Sequence, residues 1–148
     1  MTQIDFYILG NSYTAGGEMF ACKLVDKAYH LQHTVYINTS GQPQAEHLDE
    51  LLWTFNPGSF LPHQLNSPQS EPQKSATQTP ILIGHTQQST NYHDVLINLA
   101  PDVPAFFSQF ERVAEIVWGD ENQRNAARNR YKFYRDRGYT LNTHNLGD

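Results

Sequence analysis

The sequence contains a single cysteine, Cys22, which excludes an internal disulfide and a thiolate set for structural zinc. A lone thiol suits a reducing compartment, and its plain reading is a small buried residue. Long apolar runs are also missing. No stretch approaches the ~20 residues needed to cross a bilayer, and no basic-then-apolar signal opens the chain. Membrane and secreted readings fall, and a cytoplasmic one is left. Cations are scarce, ten Lys and Arg against fifteen Asp and Glu, and the net charge of −5 argues against a general nucleic-acid binder. Internal repeats are absent. Apolar and aromatic residues are plentiful, at 39% and 12% of 148 residues. That is too much for a disordered chain and enough for one domain, residues 1–148, to bury a core.

Ile4 to Leu9 is nearly all apolar, as a strand buried on both faces should be. Met19, Cys22, Val25 and Tyr29 then recur at helical spacing, and the helix is expected to end around His30 to His33. Thr34 to Ile37 is a second strand, closed by turn residues Asn38 to Gly41. Leu48, Leu51, Leu52 and Phe55 form the stripe of a helix from about Gln44 to Phe55. Ser59 to His63 reads as a short extended segment. Residues 64–80, rich in Gln, Ser, Thr and Pro, read as a flexible polar loop inserted in the domain. Ile81 to Ile83 and Val95 to Leu99 are further strands, Ala105 to Phe110 a short helix, and Val113 to Val117 a last core strand. Asp120 is placed to cap a final helix that runs to about Arg137, with Gly138 as its stop. This alternation predicts a single α/β domain with a mostly parallel central sheet and helices on both faces.

The charge is unevenly spread. Arg124, Arg128, Arg130, Lys132, Arg135 and Arg137 are six of the ten cations, and only Asp136 opposes them within that segment. At 100° per residue, Arg124, Arg128, Lys132 and Arg135 fall within an arc of roughly 80°, with Tyr131 beside them. Such a row repels itself by a few tenths of a kcal/mol per pair, roughly, unless an anion visits. A solvated helix face is the bland alternative. Tyr131 and Tyr134 add flat apolar surface, a mixture that suits an acidic peptide bearing aromatic side chains. Nucleic acid, with phosphates on the cations and bases on the rings, fits the same chemistry, and the patch does not separate the two.

A catalytic constellation is not found. The seven histidines (30, 33, 47, 63, 85, 93 and 144) are scattered without metal spacing. Glycines between Gly10 and Gly17 follow a strand, yet match neither the dinucleotide fingerprint nor the lysine-bearing phosphate loop. No Gly-x-Ser-x-Gly elbow occurs, and no cofactor is called for.

The phrase Leu48-Asp49-Glu50-Leu51-Leu52-Trp53, followed by Ser59-Phe60-Leu61-Pro62-His63, resembles the central signature of the chi subunit of bacterial DNA polymerase III holoenzyme. Arg128-Asn129-Arg130-Tyr131-Lys132-Phe133-Tyr134-Arg135, with Gly138 to Asn142, is similar to that family's closing helix and tail, and Phe6 to Leu9 also fits. The resemblance implies a Rossmann-like fold and a non-catalytic adaptor of the clamp-loader assembly. Its partners would be the psi subunit, the clamp loader through psi, and the acidic, phenylalanine-ended tail of single-stranded DNA-binding protein, with single-stranded DNA met only indirectly. By the same resemblance, Arg124, Arg128 and Lys132 would meet the tail's carboxylates. Tyr131, Trp53 and Val117 would form the recess for its terminal ring, and Phe60 would contact psi. Direct binding of single-stranded nucleic acid or of a nucleotide is the alternative function. The polar C-terminus, Thr143 to Asp148, departs from the pattern, as does the 64–80 loop.

Overall fold

A computed structural model of the chain describes residues 2–10, 16–55, 61–65, 80–84 and 92–146. Alternation builds the first strand, β1 (Gln3–Leu9): Ile4, Phe6 and Ile8 turn to one face, Tyr7 and Leu9 to the other. The chain continues through α1 (Gly16–His30), β2 (Val35–Asn38), α2 (Gln42–Thr54), β3 (His63–Leu65), β4 (Ile81–Gly84) and β5 (Val95–Asn98). A 3-10 turn (Phe107–Gln109), β6 (Arg112–Val117), α3 (Glu121–Asp136) and β7 (Thr140–Leu146) complete it. The strands form one seven-stranded sheet in the order β3-β4-β2-β5-β6-β1-β7, parallel at every pairing. Helices cover both faces, as the alternation of elements predicts. Phe20 and Val25 of α1, with Leu48 and Leu52 of α2, pack on Val35, Ile37, Ile83, Ile97 and Ile116. On the opposite face, Ala127 and Tyr134 of α3 join Phe107 over Ile4, Phe6, Leu96, Val113 and Val117. Membrane-spanning length is missing: among the described residues no helix is long and apolar enough to cross a bilayer.

Close approach of α1 to the sheet depends on Gly17. A Cβ there would stand 2.4 Å from Cε3 of Trp118, which lies across the helix's first turn. Gly138, with φ +83°, turns the chain out of α3 in a conformation that favours glycine.

Three elements differ from expectation. The helix expected over 105–110 is a 3-10 turn, because Phe110 swings to extended geometry and drops its ring into the core beside Phe107. The segment ending at His63 continues to Leu65, two residues into the expected loop, because β3 pairs with β4 from His63↔Ile81 to Leu65↔Ile83. The remainder of that loop, 66–79, lies outside the described residues, as do 11–15 of the glycine-bearing turn. Of the polar C-terminus, Thr143 to Leu146 lie in strand β7, which pairs with β1 from Gln3↔Thr140 to Leu9↔Leu146. An edge strand needs one apolar flank at most, so Leu141 and Leu146 suffice while Thr140, Thr143, His144 and Asn145 stay exposed.

Candidate functional site

The helix that carries the cations is fixed at both ends and underneath. Asp120 caps it by accepting the Gln123 backbone N–H at 3.0 Å, and the Gln123 side chain accepts the Asp120 N–H at 3.2 Å. Ala127 is small enough to let the helix settle on the sheet. Below it, fully buried Glu115 of β6 accepts hydrogen bonds from Arg130 Nε at 2.7 Å, Tyr134 Oη at 2.6 Å and Asn98 Nδ2 at 3.0 Å. Burial pushes the Glu115 carboxyl above the usual carboxylate range, and Arg130 with the hydrogen bonds opposes that push. Burial, reinforced by Glu115, also raises the Tyr134 hydroxyl, which stays a donor. Arg130 is thus a structural cation, and it points away from the row of Arg124, Arg128, Lys132 and Arg135, as the helical spacing predicts. Arg137, also outside that row, lies 3.6 Å over the Phe133 ring.

On the other flank of α3 a hollow of about 190 Å³ opens over β1, β6 and β7. Phe6, Ile8 and Val117 form its floor, Ala127 and Tyr131 one wall, and Thr143 the opposite side, with Arg124 and Arg128 at the rim. The Tyr131 ring stands edge-on to Phe6 with centroids 5.2 Å apart, which fixes the wall. The two arginines are held differently. Arg124 donates to the carbonyls of Gly119 and Leu9, both at 3.1 Å, so its guanidinium is positioned with no carboxylate among the described residues to neutralise it. Arg128 donates to Asn125 and pairs at 3.1 Å with Glu121, itself highly exposed. Exposed pairs of this kind are worth about 0–1 kcal/mol, so an incoming carboxylate can take the place of Glu121. A floor of apolar side chains with two guanidinium groups at its mouth is chemistry for an anion attached to an apolar group.

Four of the six residues expected to serve this recess are brought together: Val117, Arg124, Arg128 and Tyr131. Lys132 is exposed on the next turn and does not line the hollow. Trp53 is not part of it. It lies on α2, which covers the opposite face of the sheet, and its half-exposed ring packs 4.2 Å from that of His63. Helical spacing shows which residues share a stripe, but not which sheet face that stripe will cover. Phe60 lies outside the described residues. Residue reasoning missed Phe6, Ile8, Ala127 and Thr143. The two-residue period of a strand is the signal that puts Phe6 and Ile8 on one face, and Ala127 is the small residue at the centre of a charged helix. Thr143 carries no local signal, because it lies in a polar strand at the edge of the sheet.

The family model described as DNA polymerase III chi subunit, HolC, matches residues 1–142 of the chain. The chain belongs to the DNA polymerase III chi subunit family. Among curated relatives, the DNA polymerase III subunit chi of Pseudomonas aeruginosa is 35% identical over 146 residues, covering 99% of this chain and 98% of the relative. The proteins of the same name from Haemophilus influenzae and Escherichia coli K12 are 34% and 32% identical, each over at least 96% of both chains. Chi family membership gives the chain an accessory role in DNA replication. Within this chi fold the hollow beside α3 is built by residues from both ends of the sequence, β1 and β7 included.

Proposed function

We propose that this chi-family chain is a non-catalytic adaptor in the bacterial cytoplasm that captures the acidic, phenylalanine-ended tail of single-stranded DNA-binding protein beside α3. It binds the psi subunit on a separate surface and so joins the clamp loader to coated single-stranded DNA. One observation carries this reading: an apolar floor of Phe6, Ile8 and Val117 under the rim arginines Arg124 and Arg128. The terminal ring enters the hollow against Tyr131, and the carboxylates meet Arg124 and Arg128, with Lys132 adding charge beside them. Positive potential at the first turn of α3 favours the same anion.

Psi is assigned to the surface around Phe60. Trp53 belongs with that surface rather than with the tail, because its ring packs on His63, the last residue of the Ser59 to His63 phrase. Trp53 on α2 and the hollow beside α3 lie on opposite faces of the sheet, an arrangement that supports both partners binding together. A single tail contact is modest, and several identical tails on one partner raise the local concentration and the rate of rebinding.

Titration of the full chain against an acidic peptide ending in phenylalanine, and against an oligothymidylate, tests the reading. Saturable peptide binding in the absence of oligonucleotide binding at moderate salt is expected. The reverse result overturns capture of the tail and favours direct nucleic-acid binding.

A further inference from the structure

β7 closes the sheet on the side where α3 presents its cations, and among the described residues it pairs with β1 alone. Backbone N–H and C=O groups of alternate residues along its outer flank therefore point away from the sheet. Natural edges are usually guarded by lysine, proline or a bulge. The strand Thr-Leu-Asn-Thr-His-Asn-Leu has neither lysine nor proline, and its register with β1 runs unbroken from end to end.

The cationic flank of α3 runs alongside. Arg124, Arg128 and Arg135 lie within about 40° of one another around the helix, and Lys132 about 40° further out. Arg124 and Arg128 meet Thr143 across the hollow, so this flank faces β7, while Arg130 turns the other way to Glu115. From Arg124 to Arg135 the helix advances about 16 Å, the length of about five residues of extended chain.

We infer that an acidic chain end docks as an added strand on the outer edge of β7, parallel to it, with its terminal aromatic side chain in the hollow and alternate carboxylates facing the cations of α3. The inference rests on the peptide-capture reading and adds how the peptide backbone is held. Direction follows from the helix running against the strands. Arg124, near the start of α3, reaches the carbonyl of Leu9 at the end of β1. A chain that ends at this level and extends back along the cation row runs with β7. Main-chain bonds then supply affinity, while the hollow sets the register.

A fluorescein-labelled peptide of five aspartates ending in phenylalanine, with a free carboxylate, is the probe. The full chain is titrated against the parent peptide and against versions in which each backbone amide is N-methylated in turn. N-methylation removes a donor and blocks strand pairing at one position without altering charge. Losses of about tenfold at every second amide, with little change at those between, are expected. Retention of parent affinity by all versions, or equal losses in both phases, overturns the added strand and leaves capture in the hollow standing. Failure of the parent peptide to bind removes both.

Discussion

Individual side chains divide sharply into those that bind and those that hold. Arg128 has an exposed, exchangeable partner in Glu121, so Arg128→Ala should weaken tail-peptide binding by about 1–3 kcal/mol while leaving thermal stability unchanged. Isothermal titration with a melting curve separates the two effects. Glu121→Gln should act in the opposite sense, by removing the internal anion that competes for the same guanidinium, and a peptide dissociation constant that falls is the expected readout. The cation row and Tyr131 were legible from 100° steps along the sequence, whereas the Glu121 contact was hidden because it lies seven residues back on the same flank. Cys22 illustrates a holding role. It is fully buried, and burial with nearby Glu18 pushes its thiol up to about 12. Its folded pKa is raised, so the thiol's contribution to stability is lost only as pH rises past its ordinary value. Ellman's reagent at neutral pH should leave Cys22 unmodified in the native protein and label it stoichiometrically in urea.

At the scale of elements, α3 matters most, because it forms the wall and rim of the hollow on one side and the lid of a buried polar cluster on the other. Tyr134→Phe deletes a hydrogen bond to a buried carboxylate and should cost about 1–3 kcal/mol in urea unfolding. The Tyr134 hydroxyl is raised in the folded state, so its contribution is complete below the ordinary tyrosine value of ~10 and declines as pH rises beyond it. Stability of the parent should therefore fall more steeply above pH ~10 than that of the phenylalanine variant. Asp120 and Gly138 made α3 readable in advance, and short continuous apolar runs did the same for five of the strands. β7 was not readable, because an edge strand with one flank in solvent can be built from threonine, asparagine and histidine. Its contacts are with distant residues such as Asp5, which accepts from Asn142 and lies 3.4 Å from His144. No local pattern encodes a partner that far along the chain.

For the molecule as a whole, the decisive feature is separation of charge: a cationic flank on a body of net negative charge. Peptide capture should weaken as salt rises, since charges at the rim are screened over about 8 Å at 0.15 M, and titrations across a salt series give the slope. A flat series would shift the weight of binding to Phe6, Ile8 and Val117. The topology carries a different consequence. β1 is flanked in the sheet by β6 and β7, both from the final third of the sequence. During synthesis the ribosome releases this apolar strand early and its two neighbours late, and pairings of such long separation form slowly. Ile4, Phe6 and Ile8 are then open to chaperones until translation has passed residue 146, so the part of the protein made first is finished last.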